Sequence, residues 1–103
     1  MTIKRHDDNV RFLFTPKIDG VAMTPADLQG CTVSFLLNNF SSIAIKRDAE
    51  ITPQAQFLYD ATSEDTATGG VFYQEWELVD SAGKTLTFPN DGYYQVNIVD
   101  DLG

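Results

Sequence analysis

Hydrophobic and polar residues alternate along much of the chain with a period of two, the pattern of β-strands that bury one face. The longest alternating runs cover residues 10–15, 31–38, 72–79, 85–88 and 94–98, and shorter runs lie at 43–45 and 57–59. Only residues 24–30 and 63–69 have helix-like character, and each is too short for more than one turn. The pattern therefore predicts an all-β, antiparallel β-sandwich of about seven or eight strands.

Turn-forming residues separate the predicted strands. Asp19-Gly20, Gln29-Gly30, Thr68-Gly69-Gly70 and the segment 80–83 stand at the boundaries between alternating runs. Residues 89–92, which read Pro-Asn-Asp-Gly, place proline early and glycine last, as a turn with a positive φ requires. These boundaries support the strand assignment.

One face of each predicted strand is expected to be buried. By alternation the buried set consists of Phe12, Phe14, Val33, Phe35, Leu37, Phe72, Trp76, Leu78, Leu86, Phe88, Tyr94, Val96 and Ile98. Burial of each large side chain contributes about 1.5–3 kcal/mol, so core packing explains these residues without a cofactor. Cys31 falls on the inward side of its strand and is expected to pack as a small hydrophobe rather than act as a reactive thiol.

The composition limits the classes of partner. The chain has 103 residues, 43% of them hydrophobic, which predicts one globular domain. Its formal net charge of -8 argues against binding to nucleic acids and to anionic membranes, because both recruit basic surfaces. No apolar run approaches the roughly 18 residues of a transmembrane helix. Residues 1–9 lack the apolar segment of a signal peptide, so we expect synthesis in a cytoplasm.

No combination of residues predicts an enzyme, a metal site or a cofactor site. The single histidine, His6, lies in a charged N-terminal segment. The carboxylate pairs Asp7-Asp8, Glu64-Asp65 and Asp100-Asp101 are typical of solvated turns and strand ends, because neighbouring residues on a strand point to opposite faces. Residues 89–94 lack the spacing of a calcium loop, and neither zinc-ligand spacing nor a glycine-rich phosphate loop occurs.

Aromatic side chains on the outward positions are the remaining candidates for recognition. Tyr59, Tyr73 and Tyr93 are candidates for partial exposure, where they could stack on sugars or form a protein interface. Ordinary cross-strand packing is the simpler interpretation. Tyr93 precedes the inward-facing Tyr94 and is therefore the best candidate for the surface.

Two motifs carry a family resemblance that spans residues 3–99. They are Leu28-Gln29-Gly30-Cys31-Thr32-Val33 and Thr87-Phe88-Pro89-Asn90-Asp91-Gly92-Tyr93. Together with the order of the segments around them, they resemble the N-terminal immunoglobulin-like domain of the phage baseplate upper protein family. The resemblance implies an immunoglobulin-like β-sandwich at residues 9–99, preceded by an N-terminal arm at 1–8 and followed by a C-terminal tail at 100–103.

The resemblance also implies a function. It indicates a non-enzymatic structural protein of a phage virion, synthesised in the cytoplasm of the bacterial host, that docks on another virion protein of the baseplate or tail. In that family the domain attaches the protein to the baseplate, and a longer C-terminal part trimerises and carries receptor-binding proteins. This chain ends at Gly103, and Arg5-His6-Asp7-Asp8 stands where the family often has a Gly-Asp pair.

These departures leave several alternatives open. The chain is either one domain of a longer protein or a stand-alone protein that decorates a capsid or neck with the same fold. A module that binds carbohydrate or the host surface is a further alternative, with a host glycan as partner. A homo-oligomer within the virion is compatible with each of them.

The expected partner-contact residues are Ile3, Arg5, Tyr73, Asp91 and Tyr93. Ile3 and Arg5 belong to the N-terminal arm, which is expected to dock by strand addition between sheet edges. Deletion of residues 1–8 is therefore expected to weaken incorporation into particles and to leave the fold intact. Other virion proteins are the expected partners, and no cofactor, nucleic acid or membrane is expected.

Overall fold

The computed structural model describes residues 1–39, 42–89 and 94–100. They form ten strands and no helix, which confirms the predicted all-β class. In chain order the strands are β1 (Thr2–Lys4), β2 (Val10–Phe14), β3 (Lys17–Ile18), β4 (Val21–Ala22), β5 (Thr32–Asn38), β6 (Ile43–Ile51), β7 (Phe57–Ala61), β8 (Gly70–Val79), β9 (Thr85–Phe88) and β10 (Tyr94–Val99). No helix that could cross a membrane occurs in the described part of the chain.

Eight of the strands form two packed layers, which is the predicted β-sandwich. The larger layer has the order β1-β10-β8-β5-β6, with β9 beside the C-terminal half of β8. The smaller layer consists of β2, β7 and the last two residues of β6. β6 passes from one layer to the other, because residues 43–49 pair with β5 and the end of the strand pairs with β7. β3 and β4 form a separate hairpin.

One strand pair in the two layers is parallel, whereas the others are antiparallel. β1 runs parallel to β10 and places Ile3 opposite Ile98. Ile3 is only 5% exposed, so residues 2–4 are a strand of the sandwich itself. This finding corrects the assignment of residues 2–4 to an N-terminal arm at 1–8 outside the sandwich. The physical reason is that the edge of the larger layer next to Ile98 accepts one more apolar side chain, and Ile3 supplies it.

Aromatic residues from both layers meet at the centre of the sandwich. Trp76 of β8 packs edge-on against Phe35 of β5, with ring centroids 4.8 Å apart. The ring centroid of Phe12 in β2 lies 4.6 Å from that of Phe35, and the centroid of Phe57 in β7 lies 5.9 Å from that of Trp76. All four side chains are buried, so alternation on four separate strands produces one shared core.

The predicted core is confirmed for every residue of the set except Leu86 and Tyr94, which are each 47% exposed. Both lie on the inner face of the larger layer, since Leu86 is opposite Leu78 and Tyr94 is opposite Gln74. The exposure of Leu86 shows that the smaller layer does not extend over this position, whereas Tyr94 contacts Phe14 of β2, with ring centroids 5.6 Å apart, and is only partly covered. Alternation predicts the face on which a side chain lies, but it does not predict the extent of the opposing layer.

The central strand β5 buries a residue that alternation assigns to the outside. Phe35 and Leu37 belong to the inner face, whereas Leu36 lies between them on the outer face and is also buried. Leu36 is directly opposite Lys46 of β6 and Glu75 of β8. The aliphatic stems of such long side chains cover apolar neighbours while their charges stay in water.

The two segments with helix-like character each form a hydrogen-bonded turn, as predicted. In the first, the N–H of Asp27 donates to the Thr24 hydroxyl at 3.2 Å, and the N–H of Thr24 donates to the Asp27 carboxylate at 2.9 Å. Thr62 and Asp65 repeat this reciprocal pattern in the second turn. The two turns differ because Asp27 is exposed and Asp65 is buried.

Candidate functional site

A cleft of about 690 Å³ lies beside the end of β2, the end of β9 and the start of β10. Its lining residues are Leu13, Phe14, Thr15, Lys17, Asp19, Gly20, Phe88, Pro89 and Tyr94. Phe14 and Phe88 are buried, whereas Leu13 is 52% exposed and Tyr94 is similarly open to solvent. Among the described residues, the cleft therefore combines accessible apolar side chains with the charged residues Lys17 and Asp19.

The main chain beside this cleft is an unpaired strand edge. β2 pairs with β7 along its whole length, and no strand in the described residues pairs with its other edge. Alternate N–H and C=O groups of such an edge are available to another chain. The only charged residue within β2 is Arg11, which forms an ion pair with Asp60 of β7 at 2.8 Å. Residues 12–14 at the cleft end of β2 are therefore uncharged, and the charged side chains at the cleft come from Lys17 and Asp19 beyond the strand.

The β3–β4 hairpin adds apolar surface next to the cleft. Ile18 and Val21 lie opposite each other in the hairpin, and both are exposed. Asp19 and Gly20 between them have φ values of 52° and 79°, as a tight two-residue hairpin turn requires. Because Asp19 and Gly20 also line the cleft, the strand edge, the cleft and the hairpin form one continuous surface.

Of the predicted contact residues, the structure describes Ile3, Arg5 and Tyr73, and these three do not form one surface. Ile3 lies in the core, which corrects its assignment to a contact surface. Arg5 is half-exposed, donates from Nε to the carbonyl of Ala67 at 2.8 Å and forms an ion pair with Asp100 at 3.2 Å. Tyr73 is half-buried on β8, opposite Gln95 of β10. Its side chain therefore lies on the outer face of the larger layer.

The other two predicted contact residues, Asp91 and Tyr93, lie outside the described residues. The residues that flank this segment in the sequence, Pro89 and Tyr94, both line the 690 Å³ cleft. Leu13 was not predicted as a contact residue. A leucine at an outward position of an alternating strand is the sequence signal that could have identified it.

A second polar cluster joins β6, β7 and the turn at residues 62–66. The carboxylate of Asp65, a residue only 4% exposed, accepts hydrogen bonds from the Tyr59 hydroxyl, from Nε of Arg47 at 3.1 Å and from the N–H of Thr62 at 3.0 Å. The prediction that Glu64-Asp65 is a solvated pair is therefore wrong for Asp65. The turn folds this carboxylate inward, where the three donors compensate for its loss of water.

The protonation states of the cluster follow from these contacts. Burial has the largest single effect on Asp65 and raises the pKa of its carboxyl, but the hydrogen bonds from Thr62 and Tyr59 and the charge of Arg47 together hold that pKa below its ordinary value. Burial, followed by the hydrogen bond to Asp65, raises the pKa of Tyr59 to about 12. Asp65 is thus an ionised acceptor at neutral pH and lacks the raised pKa of a general acid.

The remaining candidate nucleophile is a packed thiol. Cys31 is half-buried against the core, as predicted. Burial, followed by the charge of Asp80, raises the pKa of the Cys31 thiol, whereas a reactive cysteine needs a lowered value. In residues 1–39, 42–89 and 94–100, no three His, Cys, Asp or Glu side chains are grouped so that they could hold a metal ion.

Comparisons with known proteins do not assign this chain to a family. No family model matches the chain, and no curated protein matches it. Among solved structures, the chain is similar to CopC from Methylosinus trichosporium OB3b. The two are 13% identical, the match covers 74% of this chain and 68% of CopC, and the TM-score is 0.42. A likeness at this level carries no argument about function, so the sandwich described above rests on the strand pairing and burial of this chain.

Proposed function

We propose that this chain is a non-enzymatic structural module of a phage virion that docks on another virion protein, at the baseplate or tail. The resemblance of residues 3–99 to the N-terminal domain of phage baseplate upper proteins supports this role. A capsid or neck decoration protein with the same fold is the alternative, and it would use the same surface.

The observation that carries the proposal is the open edge of β2 beside the 690 Å³ cleft. An extended segment of the partner pairs with this edge through main-chain hydrogen bonds and places an apolar side chain against Leu13 and Tyr94. The exposed residues of the β3–β4 hairpin, Ile18 and Val21, extend the apolar contact. Main-chain pairing gives affinity, and the cleft gives specificity for one side chain of the partner.

The overall charge restricts the partner further. With a formal net charge of -8, the chain repels other strongly acidic surfaces and favours a neutral or basic one. The charged residues at the cleft, Lys17 and Asp19, orient the docked segment rather than supply most of its affinity.

The experiment compares virions that carry wild-type protein with virions that carry Leu13→Lys or Val71→Lys. Leu13 and Val71 are both 52% exposed, but Val71 lies on β8, opposite Asn97 and away from the cleft. Loss of one apolar contact of about 1.5–3 kcal/mol lowers affinity roughly tenfold or more. We expect mass spectrometry of purified particles to find wild-type and Val71→Lys protein and to find Leu13→Lys protein depleted about tenfold or more.

The possible results distinguish a failure of the proposed virion role from a failure of the β2 edge as the docking surface. Purified virions that lack the wild-type protein would overturn the virion role. Virions that incorporate Leu13→Lys as well as wild type would instead overturn the assignment of the β2 edge as the docking surface. Localisation of the protein in intact particles by electron microscopy distinguishes baseplate and tail from capsid and neck.

A further inference from the structure

We propose that two copies of this chain exchange their N-terminal strands, so that β1 of each copy occupies the groove beside β10 of the other. The interaction surface is that groove, and the partner is a second copy of the chain. This inference does not depend on a virion role, because purified protein suffices to test it.

The groove already binds the exchanged segment within one chain. The N–H of Asn97 donates to the carbonyl of Met1 at 2.9 Å, and the N–H of Arg5 donates to the carbonyl of Val99 at 2.8 Å. Between these two contacts, the side chain of Ile3 enters the core opposite Ile98. The occupant of the groove is therefore known, and a second copy offers the same groove with the same chemistry.

The side chain of Arg5 anchors the C-terminal end of the exchanged segment, again through groups that a second copy also offers. Its Nε donates to the carbonyl of Ala67, and its Nη1 forms an ion pair with Asp100. These acceptors are far from Arg5 in sequence, so the contacts do not require that Arg5 and its partners belong to one chain. All of them would be restored after an exchange.

The connection between β1 and β2 has the character of a strained hinge. β1 belongs to the larger layer and β2 to the smaller one, so residues 5–9 cross between the layers. A tight turn at the start of this connection joins the N–H of Asp7 to the carbonyl of Lys4 at 3.2 Å. Within the turn, His6 has a φ of 67°, a left-handed conformation that is unfavourable for a residue with a Cβ atom.

Exchange removes this strain and breaks two hydrogen bonds of the hinge, from the N–H of His6 to the carbonyl of Thr66 at 3.1 Å and from the Thr66 hydroxyl to the carbonyl of Asp7 at 2.7 Å. In an exchanged pair Arg5 stays bound in the groove, so residues 6–9 extend between the two copies and reach about 14 Å, and His6 leaves the left-handed region. Short strained connections are known to promote exchange of terminal elements between copies.

β1 can also leave its groove without global unfolding. It is a three-residue edge strand that pairs with β10 alone. The ion pair that anchors it is solvent-exposed, with side-chain exposures of 40% for Arg5 and 73% for Asp100. Terminal elements with one partner strand open at a lower free energy than the core.

The test uses cysteines that can form a disulfide only across the β1–β10 register. Thr2 and Asn97 are direct partners in that register, and all variants also carry Cys31→Ser. Thr2→Cys protein is mixed at high concentration with Asn97→Cys protein in a glutathione redox buffer. In this mixture a disulfide between positions 2 and 97 can form only between two chains. The matched control pairs Thr2→Cys with Thr85→Cys, an exposed position on β9.

We expect peptide mapping to find disulfide-linked 2–97 heterodimer at least about fivefold above the 2–85 control. The double variant Thr2→Cys/Asn97→Cys at low concentration is expected to give a monomer with an intrachain disulfide, which establishes the register. A 2–97 heterodimer no more abundant than the control overturns the proposal. Failure of the double variant to form the intrachain disulfide overturns it as well, because β1 would then not occupy the groove.

Substitution of His6 tests whether the left-handed conformation in the hinge drives the exchange. His6→Gly removes the cost of the left-handed conformation from the unexchanged form alone, since glycine adopts a positive φ freely. We expect the association constant of the exchanged dimer to decrease about fivefold for each of its two hinges. Light scattering after size exclusion at matched concentrations measures the dimer fraction. An unchanged or larger dimer fraction for His6→Gly would overturn the hinge as the cause of exchange.

Discussion

The hydroxyl of Tyr59 donates a hydrogen bond to the carboxylate of Asp65, so a side chain of β7 holds the turn that follows the same strand. Arg47 of β6 donates to the same carboxylate, which ties the turn to a second strand. Groups from three elements thus converge on one buried acid. Such a cluster is stable only while every member is satisfied, and removal of one member affects the others.

Tyr59→Phe removes one hydrogen bond to a buried charge and leaves the ring in place. The ring centroid of Tyr59 lies 4.9 Å from that of Phe35, and this contact is retained in the variant. We expect the free energy of unfolding to decrease by about 1.5–3 kcal/mol, because hydrogen bonds to charged groups are worth more than neutral ones. Urea denaturation at neutral pH measures the change.

The matched control for this substitution is Tyr94→Phe, at a tyrosine that is half-exposed at the mouth of the cleft. Because water replaces the lost contacts of an exposed hydroxyl, we expect this variant to stay within about 0.5 kcal/mol of wild type. An equal decrease in the free energy of unfolding for Tyr59→Phe and Tyr94→Phe would show that the hydrogen bond to Asp65 has no special role in stability.

The cluster also predicts how stability depends on pH. The pKa of Asp65 in the folded protein lies below its ordinary value of 3.8. As the pH falls, the unfolded chain therefore binds a proton at this position first. The stability contributed by Asp65 is fully present above a pH of about 4 and is lost as the pH falls through the folded pKa.

Asp65→Asn is the variant that isolates this effect. We expect it to be less stable than wild type at neutral pH, and we expect the difference to shrink as the pH falls below the ordinary carboxyl value. Urea denaturation of both proteins between roughly pH 2 and 7 measures the two curves. A difference in unfolding free energy between wild type and Asp65→Asn that stays constant over this pH range would contradict the role of ionised Asp65.

The burial of Asp65 illustrates what the sequence could and could not predict. Its local turn was recognisable, since Thr62 and Asp65 have the spacing of a reciprocal cap. Its burial depends on Tyr59 and Arg47, which reach it from two strands. Contacts of this kind depend on how the layers pack, and no local pattern contains that information.

Ile3→Ala tests whether β1 belongs to the fold. Removal of a buried isoleucine side chain leaves a cavity beside Ile98, so we expect a loss of about 2–5 kcal/mol. A free arm would instead tolerate the substitution without a change in stability. Thermal denaturation distinguishes the two, with Thr2→Ala at the neighbouring exposed residue as the control.

The N-terminal segment was difficult to assign because it is short. Charged residues follow Ile3 directly, and three residues of strand give too little alternation to recognise. The assignment depends on the parallel pairing with β10, at the other end of the chain. For the longer strands β5 and β8, alternation alone identified the inner face, because each run is long enough to establish a period.

The candidate docking surface was predictable only in part. The sequence predicts a turn at residues 89–92 and so directs attention to the chain next to Pro89, but residues 90–92 lie outside the described residues. It did not show that β2 would be an edge strand, since strand order is a property of the assembled layers. Leu13 was therefore read as one position of an alternating strand, although its outward position now places it at the cleft.

The last prediction compares two leucines that lie opposite each other on the same face. Leu78 of β8 is 2% exposed and Leu86 of β9 is 47% exposed, although the two are direct partners in the ladder. We expect Leu78→Ala to cost about 2–5 kcal/mol and Leu86→Ala to cost less than about 1 kcal/mol, because only the first leaves a cavity. Chemical denaturation of both variants measures the difference. Similar costs would mean that Leu86, like Phe88 of the same strand, is covered by the smaller layer, as alternation alone predicts.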